Sequence, residues 1–283
     1  MITIRNEFIT AGFNTRGAEL KTLVCNGREY IWQADPAWWD KSCPVMFPIC
    51  GGLHDDEFIF EGKTYHLEKH GFALDSEFEV EKQTESSVTF LLRSNEETLK
   101  QFPFVFELRI IYTLVGKQLQ VRNEVTNLGD GTMYFSIGSH EGYALPEGIE
   151  EYEAVFPQKE TLYACGLNGN FINDERTLIV DDTDRLPFKK EHFAIDALIF
   201  PEVVSRSVIL QKKDGTRAIR VEFDGFFNLM FWQDCGAPFL CIEPWNGLPD
   251  IMGKGKDFTQ KVGNQQVGAG STYVRTHVIE ILK

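Results

Sequence analysis

Apolar and polar residues alternate with a period of two along much of this chain. Val88, Phe90 and Leu92 share one side of a segment, and Leu108, Ile110, Tyr112 and Leu114 share one side of another, with Glu107, Arg109 and Thr113 opposite. Successive side chains of a strand point to opposite faces, so this spacing predicts strands with one face buried. Asn228 to Trp232 and Pro238 to Ile242 are apolar almost throughout, the pattern of central strands in packed sheets. Turn signals separate the strands. Asn26-Gly27 lies between Gly17 to Val24 and Glu29 to Trp32, Glu61-Gly62-Lys63 between Phe58 to Phe60 and Thr64 to Leu67, and Asp214-Gly215 between Val208 to Gln211 and Ala218 to Val221. Each reads as a hairpin, the first through a type I′ turn. Helical spacing is confined to Glu96 to Gln101, behind an Asn95 cap, and to Lys190 to Ala197. No internal repeat is visible. The pattern predicts an all-β fold, a large antiparallel β-sandwich with few short helices.

Composition narrows this picture. The 283 residues show no break in composition and no linker, so a single domain over 1–283 is expected. Twenty-three phenylalanines supply material for a continuous core between sheets. A formal net charge of −14 argues against nucleic acid or an anionic membrane as partner, because both repel it at long range. With no leader-like segment and no long uncharged apolar run, a soluble, cytoplasmic protein is expected. Cys25, Cys43, Cys50, Cys165, Cys235 and Cys241 have no zinc-ribbon or CxxC spacing, which predicts reduced, mostly buried thiols.

Three short stretches set an ionisable residue beside glycine, proline or an aromatic where a strand is expected to end: Glu68-Lys69-His70-Gly71-Phe72, Ser139-His140-Glu141-Gly142-Tyr143, and Ile242-Glu243-Pro244-Trp245. Histidine titrates near neutrality, so His140 can both give and take a proton. Glu243 follows an apolar run, and a carboxylate there must be paired, hydrogen-bonded or used. Pro244 is expected to end the ladder and leave Glu243 on the rim of the sheet. His66 and His70, with Glu68 between them, do not make the helical H-E-x-x-H pattern and have no third partner, so no metal site is expected. Trp38-Trp39 could stack on a sugar or fill the core, and His54, His192 and His277 receive no role.

At these stretches the sequence resembles the aldose 1-epimerase (galactose mutarotase) family, especially its bacterial LacX-like branch. The resemblance spans nearly the whole chain and includes Phe47-Pro48-Ile49-Cys50-Gly51, His70-Gly71-Phe72, Asn127 to His140, Asp196 to Phe200, and Ile242 to Asp250. It implies a large antiparallel β-sandwich acting on a hexose, with no cofactor and no metal. Carried over residue by residue, it implies Glu243 as catalytic base, His140 as general acid, His70 as the second active-site histidine, holding the sugar, and Asp196 as a binder of sugar hydroxyls. Two departures stand out. Gly51-Gly52 replaces the Gly-Arg that the family usually has, leaving His54 or Lys69 to supply the missing donor. Glu141-Gly142-Tyr143 replaces Pro-Ala-Phe after the acid histidine, adding negative charge near the pocket.

The resemblance implies anomer interconversion by acid–base opening of the sugar ring. Two rivals remain at the level of sequence: a carbohydrate-binding protein of the same fold without catalysis, and a hexose-6-phosphate 1-epimerase. The second needs a phosphate site, for which Arg217, Arg220, Lys212 and Lys213 are the nearest clustered cations. Glycosidase chemistry would need paired carboxylates, Glu141 and Glu243 being the nominees.

Overall fold

The alternating segments assemble into two large antiparallel sheets. The structure is a computed structural model, and it describes residues 1–194, 196–201 and 203–283. A nine-stranded sheet runs in the order Phe171–Pro187, Tyr152–Asn168, Ser207–Lys212, Ala218–Glu222, Thr272–Ile281, Gln118–Asn127, Phe106–Val115, Ser87–Arg93 and Glu79–Gln83. A six-stranded sheet runs Leu198–Pro201, Asn228–Trp232, Phe239–Asn246, Ile137–Ser139 and Val45–Met46, with Glu141–Ala144 also paired to Phe239–Asn246. The alternation explains how they pack. Leu108, Tyr112 and Leu114 face inward beside their cross-strand partners Val125, Val121 and Leu119, and the same apolar core takes in Ile137, Leu240 and Ile242 from the six-stranded sheet. Phe47 sits in this core with its ring 5.0 Å from Phe106 and 5.8 Å from Phe135.

The hairpins turn where expected. Asn26 and Gly27 have φ of 51° and 73°, and Glu61 and Gly62 have 50° and 74°. Positive φ at both central positions is the type I′ geometry that suits the twist of the flanking strands. The helix Glu96–Gln101 is capped by Asn95, whose side chain accepts from the N–H groups of Glu97 and Thr98. The second helical expectation reduces to a 3₁₀ turn, Lys190–Phe193; Ile195, within that stretch, lies outside the described residues. All six cysteines are unpaired, five of them buried and Cys235 exposed.

Two features depart from the sequence reading. Pro244 does not end its strand: Phe239–Asn246 continues past it, with Glu243 opposite Met230 and Pro244 opposite Leu229. The base candidate therefore stands in mid-strand rather than on a rim. The second feature is a long arm. Tyr152–Asn168 and Phe171–Pro187 have seventeen residues each, yet only Tyr152 to Val155 pair with the next strand of the sheet. Beyond that the arm twists through bulges and reaches the six-stranded sheet, where Cys165, Leu167 and Ile172 pack with Met46, Ile199, Met230 and Trp245. Ile172 fastens its tip by donating to the Asp250 carbonyl at 3.0 Å and accepting from Met252 at 2.9 Å.

Candidate active site

The centre of the site follows from strand register. Gly138 pairs with Trp245 and Glu141 with Ile242, and the register does not slip between those pairs. His140 therefore lies directly across from Glu243. Pro244 has no N–H to offer, and the hydrogen-bonded pairing with the neighbouring chain is interrupted at Ser139-His140 beside it. Alternation sorts the side chains. On Phe239–Asn246, Leu240 and Ile242 enter the core, while Glu243 and Trp245 face a cavity of about 420 Å³ that is also lined by His140, His70, Lys69, Asp196, Trp39, Trp232, Gly169 and Asn170. The four residues expected from sequence thus line one cavity.

His140 Nε2 lies 3.5 Å from Glu243 Oε2, and both residues are buried. Trp39 lies against the imidazole at a centroid distance of 4.9 Å and Trp232 meets it edge-on at 5.4 Å. Of the tryptophan pair, Trp39 is the one in the cavity, whereas Trp38 is exposed. Burial pushes the Glu243 carboxyl well above its ordinary range; Asp196 and Glu141 push the same way, against the pull of Lys69. Burial, helped by Lys69, pushes His140 down to about 3. A pair this close titrates as a unit. Burial thus favours the neutral form of both partners, raising the carboxyl and lowering the imidazole.

His70 is fixed by its backbone. Its N–H donates to the Gly51 carbonyl at 3.0 Å, and its ring Nδ1 accepts from the Gly51 N–H at 3.2 Å. Because Nδ1 accepts, the neutral ring carries its proton on Nε2. Burial, followed by the charges of His140 and Lys69, holds His70 well below its usual pKa. Its ring meets those of His140 and Trp245 edge-on, each at 5.6 Å. His66, four residues earlier, is exposed and lies 3.7 Å from Glu57, so the two histidines diverge once the strand Lys63–His66 ends.

The two departures in the motifs resolve differently. A Cβ at Gly52 would lie 3.0 Å from Asn170 Cβ, so the tip of the arm occupies the ground a longer residue 52 would need. Of the donors expected to compensate, Lys69 lines the cavity, while His54 does not: its ring lies 4.2 Å from that of Phe171 and its N–H donates to Asp250. Asn170 was missed from sequence, although Asn168-Gly169 carries the same turn signal as Asn26-Gly27 and pointed to a hairpin there. Glu141 faces away from the cavity into the core, where it meets His277 Nε2 at 2.9 Å. It bears on Glu243 only as a charge behind the sheet, and it cannot be the second carboxylate of a glycosidase. The basic residues considered for phosphate are engaged elsewhere: Arg217 lies over Tyr30 and donates to the Glu29 carbonyl, Lys212 pairs with Glu147 and Asp214, Lys213 donates to the Glu150 carbonyl, and Arg220 pairs with Glu280.

The chain is a large antiparallel β-sandwich in which a histidine and a carboxylate meet in an aromatic-walled cavity, and the comparisons identify the class of protein to which that fold belongs. The family model described as aldose 1-epimerase matches residues 1–263, and the chain belongs to that family. It is 34% identical over 302 aligned positions to the plasmid-borne and chromosomal LacX proteins of Lactococcus lactis subsp. lactis, covering 99% of each chain. Among solved structures it is similar to a galactose mutarotase related enzyme from Lactobacillus acidophilus, with a TM-score of 0.94 and 32% identity over 100% of this chain and 97% of that one. A galactose mutarotase-like protein from Lactobacillus casei ATCC 334 gives a TM-score of 0.94 and 31% identity, with 99% of both chains covered. These agree with the sandwich architecture and with a mutarotase-like function. Among the described residues no helix is long and apolar enough to cross a membrane.

Proposed function

We propose that the protein interconverts the α and β anomers of a free hexose, with Glu243 and His140 exchanging protons with the sugar. The observation that carries this reading is the pair itself: a buried carboxyl and a buried imidazole 3.5 Å apart, in register on neighbouring segments of the sheet, opening on a cavity of monosaccharide size. Ring opening removes a proton from the C1 hydroxyl and delivers one to the ring oxygen. Both oxygens are bonded to C1, so two groups a few ångströms apart can serve both.

The chemistry needs one proton shared between acid and base. On binding, the sugar brings polar groups into the cavity and the proton moves to His140, leaving Glu243 as the carboxylate that takes the C1 hydroxyl proton. The His140 imidazolium donates to the ring oxygen as the C1–O5 bond breaks. The open-chain aldehyde then rotates about C1–C2, and closure reverses both transfers. His70 presents its Nε2–H as a donor to a sugar oxygen, Asp196 and Lys69 bind hydroxyls at the mouth, and Trp39 offers a flat face to the ring. No step calls for a cofactor or a metal.

Polarimetry of freshly dissolved α-glucose and α-galactose tests the proposal. Equilibration should run faster than the buffer blank, and Glu243→Gln and His140→Asn should each lose about 10²–10⁴-fold, the usual contribution of a positioned acid or base. Sugar binding by calorimetry with no acceleration would select the binding-protein reading instead.

A further inference from the structure

Cys241 takes no part in the steps above. It precedes Glu243 by two residues on the same face of Phe239–Asn246, packed with Trp32 and Phe239. Its sulfur, a ring nitrogen of His140 and a carboxylate oxygen of Glu243 all lie within 4.8 Å of one another, and all three residues are buried. We propose that these three side chains form a binding site for one thiophilic divalent cation of the zinc or cadmium type, and that the bound cation blocks the acid–base pair.

Three arguments converge. The donor set of one sulfur, one imidazole nitrogen and one carboxylate oxygen is the mixture that soft-to-borderline cations select, and a thiolate disfavours magnesium and calcium. Three protein ligands leave a fourth position for solvent, and two of the three, His140 and Glu243, line the cavity, which gives the ion a way in. Spacing is the second argument. Zinc bonds of about 2.0–2.3 Å set tetrahedral donors roughly 3.3–3.7 Å apart. His140 and Glu243 already meet this at 3.5 Å, so only the sulfur has to close in, by about 1.5 Å at most. Charge is the third. A thiolate and a carboxylate together cancel a double positive charge, so the complex is neutral overall, and a buried neutral cluster escapes the penalty of an isolated buried ion. As the metal–sulfur bond forms, the thiol proton leaves to solvent, and any proton on Glu243 leaves with it.

The inhibitory half of the proposal rests on the catalytic reading; the binding half does not. The test uses the full chain carrying Cys235→Ser, which removes the exposed thiol. Titration with Co²⁺ should produce a thiolate-to-cobalt charge-transfer absorption, and adding Cys241→Ser should abolish it. In parallel, Zn²⁺ or Cd²⁺ should slow sugar equilibration and a chelator should restore it. Cys241→Ser should keep its basal rate but require at least about tenfold more metal, since losing a ligand costs no less than the 10–100-fold seen for outer-sphere partners. Should the serine variant fold poorly, Cys241→Ala serves with the same expectations. No thiolate band, or a band that survives in both Cys241 variants, overturns the site. The absorption needs no turnover. A band in a protein without epimerase activity therefore leaves the metal site standing and sinks the catalytic reading, while an active enzyme with no band does the opposite.

Discussion

Glu243 is placed at a cost to stability, and the cost has a predictable pH dependence. Unfolded, its carboxyl ionises near the ordinary value of 4.5; folded, burial holds the proton on to higher pH. Above that value the folded chain binds more protons than the unfolded one, so stability falls as pH rises. Glu243→Gln removes the titrating group while keeping the shape. Its urea midpoint is expected to exceed that of the wild type at about pH 8, with the difference closing as pH falls towards 4.5. A wild type that is the more stable protein at about pH 8 would mean that the carboxylate is well solvated or paired after all. His70 works in the other direction. Its folded pKa lies below the ordinary 6.5, so its contribution is lost as pH drops through that value. The same substitution that stabilises should slow sugar equilibration, as expected where a site is built from strained electrostatics.

At the scale of elements, the arm Tyr152–Asn168 and Phe171–Pro187 gives the cavity one wall. Asn170 lines the cavity from its tip, against Gly52. Asn170→Ala is expected to raise KM for the preferred sugar about 3–10-fold with kcat nearly unchanged, the effect of losing one neutral hydrogen bond worth about 0.5–1.5 kcal/mol in bound states alone. An unchanged KM would remove Asn170 from the sugar contacts. The arm was illegible in the sequence because most of it projects from the sheet. The run Asp174 to Leu178 is exposed on successive positions, so no alternation marks it as strand, and only Asn168-Gly169 betrays the turn. The hairpins at Asn26-Gly27 and Glu61-Gly62 were legible because local backbone geometry dictates their residues. The candidate site was legible as three motifs but not as a geometry. That His140 faces Glu243 depends on register between segments about a hundred residues apart, which no local pattern encodes. Pro244 misled for the same reason: proline forbids one hydrogen bond, and whether that bond was needed depends on which neighbour lies on its N–H side.

At the scale of the whole molecule, the two sheets meet behind the site through a buried polar contact. His140 and Glu141 are consecutive and point to opposite faces: the imidazole enters the cavity, while the carboxylate crosses to His277 on Thr272–Ile281 of the nine-stranded sheet. His277 is fully buried, and Tyr112 and Tyr143, close enough to feel the Glu141 charge, are pushed well above their usual pKa, chiefly by burial and then by that carboxylate. A buried donor–acceptor pair contributes little net free energy when complete, but truncating one partner strands the other. Glu141→Ala and His277→Ala are each expected to lower stability by about 1–3 kcal/mol in urea unfolding, and the double variant by clearly less than the sum, because the second truncation removes the group that the first left unpaired. Additive losses would show that the two residues act independently. The contact also anchors the backbone that carries His140. Glu141→Ala should therefore lower kcat for sugar equilibration more than a distant core truncation of equal stability cost, such as Leu119→Ala in Gln118–Asn127, and Glu141→Gln, which keeps an oxygen for His277, should restore most of that rate. Equal rate losses in the two matched variants would reduce Glu141 to a core residue, and the second sheet to a passive support for the first.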